Sequence, residues 1–452
     1  MNSKDPDLCK SSVLKKSIHS ILTCGGPTTR SVVWQNSIHA QSLGGAGLAS
    51  EHQKDTLVED GMRKPSHSSR GAMLKRKELL EDGGSSTAPL VEDSGMTQTR
   101  DGLTLSCQVI TSLTEFESLG PLWEKFDVDP MSGFDWNYSW WKSFQKMGDL
   151  HLITFEQAGE VVGLAPFFVD RWFGLSRLRF LAAGDVCSDY IDIICDPAHY
   201  ELCAASFAQY IRAMNFDMVE LECTKGNRLA QLLSPQLEDN YRIDQREAEP
   251  TWRLDLPKSW EEFVSSTKSS LRRKIKKAVR RIDSGEIEIS STADGLDLDS
   301  AFKVLEQLHT QRFNSMDKPG VFADDRFTDF LNASAKELCS RGKCEIVVAA
   351  KNGKPFATQI YFEGKEGFQF YQSGCDPDTM KLEPGHLMFT FMVRRAIERG
   401  DHVFDFLRGN EPYKLFWGAS PHSQWKVRMI SRSTLPTLAF KTIEIGRRFL
   451  RR

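Results

Sequence analysis

The spacing of apolar positions changes character near residue 102. Residues 1–102 are rich in Ser, Thr, Gly and charge, as in EDGGSSTAPLVEDSG, and hold no period of 2 or 3.6 residues, which predicts a disordered N-terminal segment. Met62, Met73 and Met96 lie inside it, so a start codon placed too far upstream would explain it equally well. From Leu103 strand and helix periods alternate. LTLSCQVI reads as a strand, EFESLGPLWEKF as a helix, and FDWNYSWWKSFQKM as an aromatic-rich helix closed by Gly148. The strands HLITFEQ and EVVGLAPFFVDRW follow around a turn at Ala158-Gly159, then LSRLRFLAAG, a helix from Pro197 through Met214, and the strand FDMVELECT.

The second half repeats this order. Helices SLRRKIKKAVRRI, DSAFKVLEQLHTQRF and RFTDFLNASAKELCSRG come first, then strands CEIVVAAKN and KPFATQIYFEG around Asn352-Gly353, two residues that tolerate the positive φ of a tight hairpin. EGFQFYQSG is a third strand, HLMFTFMVRRAIERG a helix with Gly400 at its C-terminus, and DHVFDFLRG a fourth strand. AGEVVGLAPFF lies over NGKPFATQIYF with Gly159 on Gly353, and FDMVELECTKGN over DHVFDFLRGN with Asp217 on Asp401. The expectation is an α/β protein of two duplicated halves, 103–255 and 256–435, each a mixed sheet flanked by helices, with a basic tail or helix at 436–452.

Composition narrows the partners. With 58 basic and 61 acidic residues the formal net charge is −3, so the chain as a whole attracts neither nucleic acid nor membrane, and any charged ligand must be met locally. Ten cysteines show no CxxC pair and no zinc-ligand spacing, so no metal is expected, and Cys195 and Cys223 sit in apolar runs as small hydrophobes do in a reducing compartment. No run approaches the ~20 apolar residues of a membrane span. The start MNSKDPDLCK leads into no apolar signal region. Cytoplasm is the expected location.

The stretch FQFYQSGCDPDTMKLEPGHLMFTFMVRRAIERGDHVFDFLRGNEPYKLFWG, residues 368–418, resembles the core of the CelD/BcsL-type acetyltransferase-like proteins, a branch of the GNAT superfamily. DFLRGNEPYKLFWG is its most recognisable string. WNYSWWKSF, the GLAPFF hairpin and the Arg/Lys-rich helix extend the likeness over about 103–435. The resemblance implies a tandem GNAT-like (acyl-CoA N-acyltransferase) fold. It further implies transfer of an acetyl or other acyl group from acyl-CoA to an amine or hydroxyl of a small-molecule or saccharide acceptor, in polysaccharide or envelope biosynthesis.

It also implies a site. The loop Asp376 to Leu387 would hold the CoA pyrophosphate on a helix N-terminus, through Lys381, Pro384, Gly385, His386 and Leu387. Pro384 suits the first helical turn and Gly385 permits close backbone approach, while Glu383 would repel phosphate unless it points away. His386 would donate to phosphate. Downstream, Asp405 and Glu411 are the candidate bases, Tyr413 the acid for the leaving thiolate, and Arg408 and Lys414 the groups for an anionic substrate or the acyl carbonyl. The plainer reading pairs Asp405 with Arg408, puts Tyr413 and Trp417 in the core, and leaves Lys414 solvated. His309 reads as a packed or surface residue, and the helix bearing Trp136, Trp140 and Trp141 as core. The cations of SLRRKIKKAVRRI, Arg272 to Arg281, flank an apolar stripe of Leu271, Ile275, Ala278, Val279 and Ile282 and are either solvated or a phosphate site for CoA, a sugar nucleotide or tRNA. Two rival functions follow: a FemAB-like aminoacyl transferase using aminoacyl-tRNA, and a non-catalytic GNAT-shaped binding protein.

Overall fold

The computed structural model describes residues 96–100, 103–184, 188–433, 435, 436 and 438. The reading of residues 1–95 and nearly all of that for 436–452 lie outside the described residues. In chain order, β1 (Met96–Arg100) and β2 (Leu103–Ile110) precede α1 (Leu113–Ser118), α2 (Gly120–Trp123) and α3 (Phe134–Phe144). Next come β3 (Asp149–Leu150), β4 (Leu152–Gln157), β5 (Glu160–Ala165), β6 (Phe167–Trp172), β7 (Leu175–Phe180) and β8 (Ile194–Cys195). Then follow α4 (Tyr200–Met214), β9 (Met218–Lys225), α5 (Arg228–Leu237), β10 (Tyr241–Glu247) and β11 (Thr251–Asp255). The second half begins with α6 (Trp260–Ser266), α7 (Ser269–Asp283), β12 (Glu288–Ser291), α8 (Leu298–Asn314) and α9 (Asp325–Ser340). It continues with β13 (Cys344–Lys351), β14 (Lys354–Gly364), β15 (Gly367–Cys375), α10 (Pro384–Arg399), β16 (Val403–Arg408), α11 (Pro412–Trp417), β17 (Ser420–His422) and β18 (Gln424–Ser431).

The duplication read from the sequence appears as topology. Each half carries one strand–helix–strand unit with parallel strands, β7–α4–β9 in the first and β15–α10–β16 in the second. Each also has a hairpin at the predicted turn, β4–β5 at Ala158-Gly159 and β13–β14 at Asn352-Gly353. Among the described residues there are three sheets rather than two. EVVGLAPFFVDRW breaks at Pro166, which has no N–H for a ladder, so β5 joins the sheet β1-β2-β4-β5-β8 and β6 joins β10-β18-β9-β7-β6-β3.

Two boundaries move. Met96–Arg100, inside the segment read as disordered, pairs with β2 from Met96↔Cys107 to Arg100↔Leu103. The intervening Asp-Gly is the sequence signature of a two-residue hairpin loop. The halves also exchange strands: β11, assigned to the first half, pairs with β16 of the second, and β18, assigned to the second, lies between β10 and β9 of the first. Residue 255 is therefore not a clean division.

The core also crosses the halves. Trp136 and Trp140 on α3 are almost wholly buried, and the Trp136 ring meets Phe330 on α9 at 4.6 Å, Phe362 on β14 at 5.1 Å and Tyr371 on β15 at 5.3 Å, all edge-on. Such pairs add ~0.5–1.5 kcal/mol each beyond the area they bury. The aromatic helix is core, and it fixes the first half to the second.

Candidate functional site

Parallel strands β15 and β16 are joined through one register pair, Gln369 with Asp405. Their carboxyl ends and the start of α10 lie on the same edge of the sheet, the edge where open α/β sheets receive ligands. Between β15 and α10 the chain makes a 3-10 turn over Pro377–Leu382, and Glu383 takes φ 58°, ψ 54° before Pro384 starts the helix. Pro384 has no N–H, and Leu387 N–H donates to Glu383 O at 3.0 Å. That leaves Gly385 and His386 with the first-turn donors that a helix cannot satisfy internally. A Cβ built on Gly385 meets no atom within 4 Å, so the backbone there borders open space.

The basic helix α7 packs against this loop. Lys274 Nζ and Lys277 Nζ donate to the Glu383 carboxylate at 2.5 and 2.8 Å, and Arg281 donates to Leu382 O at 2.9 Å. Burial alone would push the Glu383 carboxyl up, but the two lysines hold it at about 2. Glu383 thus points away from the helix start and is neutralised, and the exposed Lys381 adds a further cation. Neither the solvated nor the ligand-facing reading of α7 is complete, because Lys274, Lys277 and Arg281 brace the loop itself. An anionic group fits here: uncommitted N–H donors, a helix dipole, open space over Gly385 and excess positive charge.

Two loop residues turn inward instead. Leu387 is core at 1% exposure. His386 is buried at 2%, with its ring 5.3 Å from Phe416 and 6.0 Å from Trp417, and burial, with Lys274 nearby, pulls its imidazolium down to about 4. Both ring nitrogens are covered, so the side chain offers phosphate no donor; only its backbone N–H does.

Midway along β16 the structure places Asp405 at 6% exposure. Leu407 N–H donates to its Oδ1 at 2.7 Å and the Tyr190 hydroxyl donates to its Oδ2 at 2.5 Å. Burial pushes this carboxyl up to about 7; the Asp189 carboxylate adds to the rise, while Tyr190, Leu407 N–H and the Arg253 guanidinium offset part of it. Asp405 does not pair with Arg408. Arg408 instead engages the first half: its N–H donates to Asp189 Oδ2 at 3.0 Å and its Nε lies 3.2 Å from Asp189 Oδ1.

Lys414 is neither solvated nor open to substrate. At 1% exposure its ammonium donates to the carbonyls of Leu407, Arg408 and Gly409 and pairs with Glu411 at 3.0 Å, clamping the turn. Burial lowers the Lys414 pKa and raises that of Glu411, in each case partly offset by the other. Gly409, at φ 122°, is obligatory there, since a Cβ would sit 2.5 Å from Glu411 Oε2. Glu411 is thus a member of the clamp. Tyr413 is core at 3% exposure, its ring stacked on Phe389 at 5.3 Å, and burial drives its phenol well above the usual range. His309 is fully buried on α8, its Nδ1 3.1 Å from Ser373 O, and is a packing residue.

Sequence reasoning missed the segment Ser188-Asp189-Tyr190. It lies in the loop between β7 and α4, anchored by Trp136 Nε1 donating to Ser188 Oγ at 2.8 Å, and reaches Asp405 across 215 positions of sequence. Tyr190 holds φ 60° and Leu407 φ 54°, left-handed values that are uncommon outside glycine. Among the described residues no group of three or more His, Cys, Asp or Glu could hold a metal ion, and no helix is long and apolar enough to cross a membrane.

Residues 265–415 match a family model described as an acetyltransferase (GNAT) domain. No curated protein matches the sequence. Among solved structures the chain is similar to FemX, with TM-score 0.51 and 12% identity over 74% of this chain and 99% of that one. It is also similar to a conserved protein of unknown function from Bacteroides thetaiotaomicron VPI-5482 (0.46, 10%, 72% and 99%). A tandem GNAT protein from the clavulanic acid biosynthesis pathway scores 0.39 at 11% identity, over 73% of this chain and 99% of that one. The chain has a tandem GNAT-like α/β fold, and the match to the GNAT-domain model falls within its second half.

Proposed function

We propose that this protein is an acyl-CoA-dependent acyltransferase, acetyl-CoA being the simplest donor, with its reaction centre in the second half. The observation that carries the reading is the start of α10, where unsatisfied N–H groups, open space at Gly385 and a neutralised Glu383 meet; the strand that follows α10, β16, carries the buried Asp405. The backbone of Gly385 and His386, with Lys381 nearby, would hold the pyrophosphate. The thioester supplies an activated acyl carbon and a thiolate leaving group. Asp405 is the base for the acceptor's amine or hydroxyl proton, since a carboxyl raised to about 7 is half ionised at neutral pH and still able to accept. Arg408, Lys414 and Glu411 order the turn that carries it. A saccharide or envelope acceptor and a cytoplasmic location stay part of the proposal through the CelD/BcsL-type resemblance.

A second reading, aminoacyl transfer from aminoacyl-tRNA, is favoured by the exposed α7 cations Arg273, Lys276 and Arg280, which the loop contacts leave unused. Calorimetric titration with acetyl-CoA, CoA and tRNA tests both. Micromolar binding of acetyl-CoA and CoA without tRNA is expected; tRNA binding without CoA binding would replace the first reading by the second.

A further inference from the structure

We propose that Tyr190, supplied by the first half, is the group through which Asp405 acts on the acceptor. The inference rests on the acyl-CoA reading above and adds to it a proton relay that spans both halves.

The geometry limits how a substrate can reach Asp405. One carboxylate oxygen is taken by Leu407 N–H at 2.7 Å, the other by the Tyr190 hydroxyl at 2.5 Å, and the residue is 6% exposed. Tyr190 is less buried than Asp405, and its hydroxyl occupies the carboxylate oxygen that Leu407 leaves open. The charged and titratable groups around Asp405 are Asp189 beside Tyr190, Arg253 on β11 and Lys414 on α11. Arg253 is paired with Glu366 and Lys414 with Glu411, and the Asp189 carboxylate receives Arg408. Tyr190 is the side chain among them that donates a hydrogen bond to Asp405. Thr251, fully buried, neighbours the same phenol. The phenol is oriented by its bond to Asp405, and its loop is pinned by Trp136 at Ser188 and by Arg408 at Asp189. The left-handed backbone of Tyr190 is unfavourable for a residue other than glycine, and these contacts hold it there.

In the reaction the acceptor's lone pair forms the new bond to the acyl carbon while its proton passes to the Tyr190 oxygen. Tyr190 gives its own proton to Asp405 in the same step. The C–S bond breaks, the thiolate leaves with that electron pair, and Asp405 then returns the proton to the thiolate or to water. No further reactant is needed, and Tyr190 ends as it began.

The test uses the full chain with acetyl-CoA, following thiol release to water and to simple amines against pH, together with calorimetry, melting and an NMR titration of Asp405. Tyr190→Phe is expected to bind acetyl-CoA as the wild type does and to lose ~10²-fold or more in kcat. Its residual activity should rise only at a pH above that of the wild type, because the phenol helps keep the carboxylate ionised. Full turnover with an unmoved pH profile in Tyr190→Phe would overturn the relay. So would an Asp405 titration identical in the two proteins, a readout that needs neither donor nor acceptor. Failure of the wild type to bind acetyl-CoA would instead overturn the acyl-CoA reading, leaving the Asp405 titration to decide on the relay by itself.

Discussion

The two strand–helix–strand units share one topology and opposite electrostatics. In the second half, α10 begins beside Lys274, Lys277, Arg281 and Lys381, with Glu383 paired to Lys274 and Lys277, Asp376 to Lys354, and Asp378 exposed. In the first half, α4 begins among Asp192, Asp196 and Glu201: Tyr200 donates to Asp192 at 2.8 Å, and Arg228 covers the Tyr200 ring at 4.5 Å and lies 3.7 Å from Glu201. A phosphate would be welcomed by one and repelled by the other. The sheet surfaces differ too. Beside β7 and β9, Arg177 pairs with Asp170 at 2.5 Å and Glu220 at 3.0 Å, and Arg428 pairs with Glu220 at 2.5 Å, so that surface satisfies its own charges. The connecting loop also differs in reach, running from Leu181 to His199 in the first half and from Asp376 to Glu383 in the second. Duplication has preserved the scaffold while, on the function proposed above, one copy would hold the donor and the other lend its long loop to Asp405.

The largest test of this asymmetry compares equivalent helix starts. Gly385→Val fills the open space over the backbone and is expected to weaken acetyl-CoA binding about tenfold or more by calorimetry, whereas Ala198→Val, in the exposed 3-10 turn that leads into α4, should leave it unchanged. Equal effects would mean that both halves bind the donor. A smaller effect is expected at Glu383. Glu383→Gln releases two lysines toward the helix start and should tighten CoA binding severalfold. Its cost in stability should stay below ~1 kcal/mol, since all three groups are more than a quarter exposed and screened by solvent. The sign is fixed by the depressed carboxyl: the Glu383 contribution is complete above the ordinary carboxylate range and fades as pH falls toward 2, so variant and wild-type melting curves should draw together below that range and meet only near pH 2. The smallest effect belongs to Tyr413. Tyr413→Phe keeps the ring on Phe389 and should retain turnover with a loss of about 1 kcal/mol or less in melting experiments, in contrast to Tyr190→Phe. A large loss of kcat there would return the acid role to the second half.

What the chain disclosed in advance was local. The hairpins at Ala158-Gly159 and Asn352-Gly353, the capping Gly400 and the amphipathic α7 depend on neighbours within a few residues, and each stands where its pattern placed it. The helix-start donors at Gly385 were legible for the same reason. The partners of Asp405 and Arg408 were not, because Tyr190 and Asp189 are over two hundred positions away and nothing in the intervening pattern marks the contact. Lys414 misled because a lysine in a Pro-started turn reads as surface; its burial follows from three carbonyls that converge only once Leu407 adopts its left-handed conformation. The exchange of β11 and β18 was hidden because strand periodicity identifies a strand and not its neighbour.

That exchange sets an order on assembly. The six-stranded sheet has β18 between β10 and β9, so a gap stays in its interior until residues 424–431 have left the ribosome. The half that is made first is therefore completed last, and its exposed strand edges must wait through the synthesis of nearly two hundred further residues. Truncation just before Gln424 would leave the GNAT-matching stretch 265–415 whole and yet strand the other half, making the C-terminal strand a checkpoint that a prematurely terminated chain cannot pass.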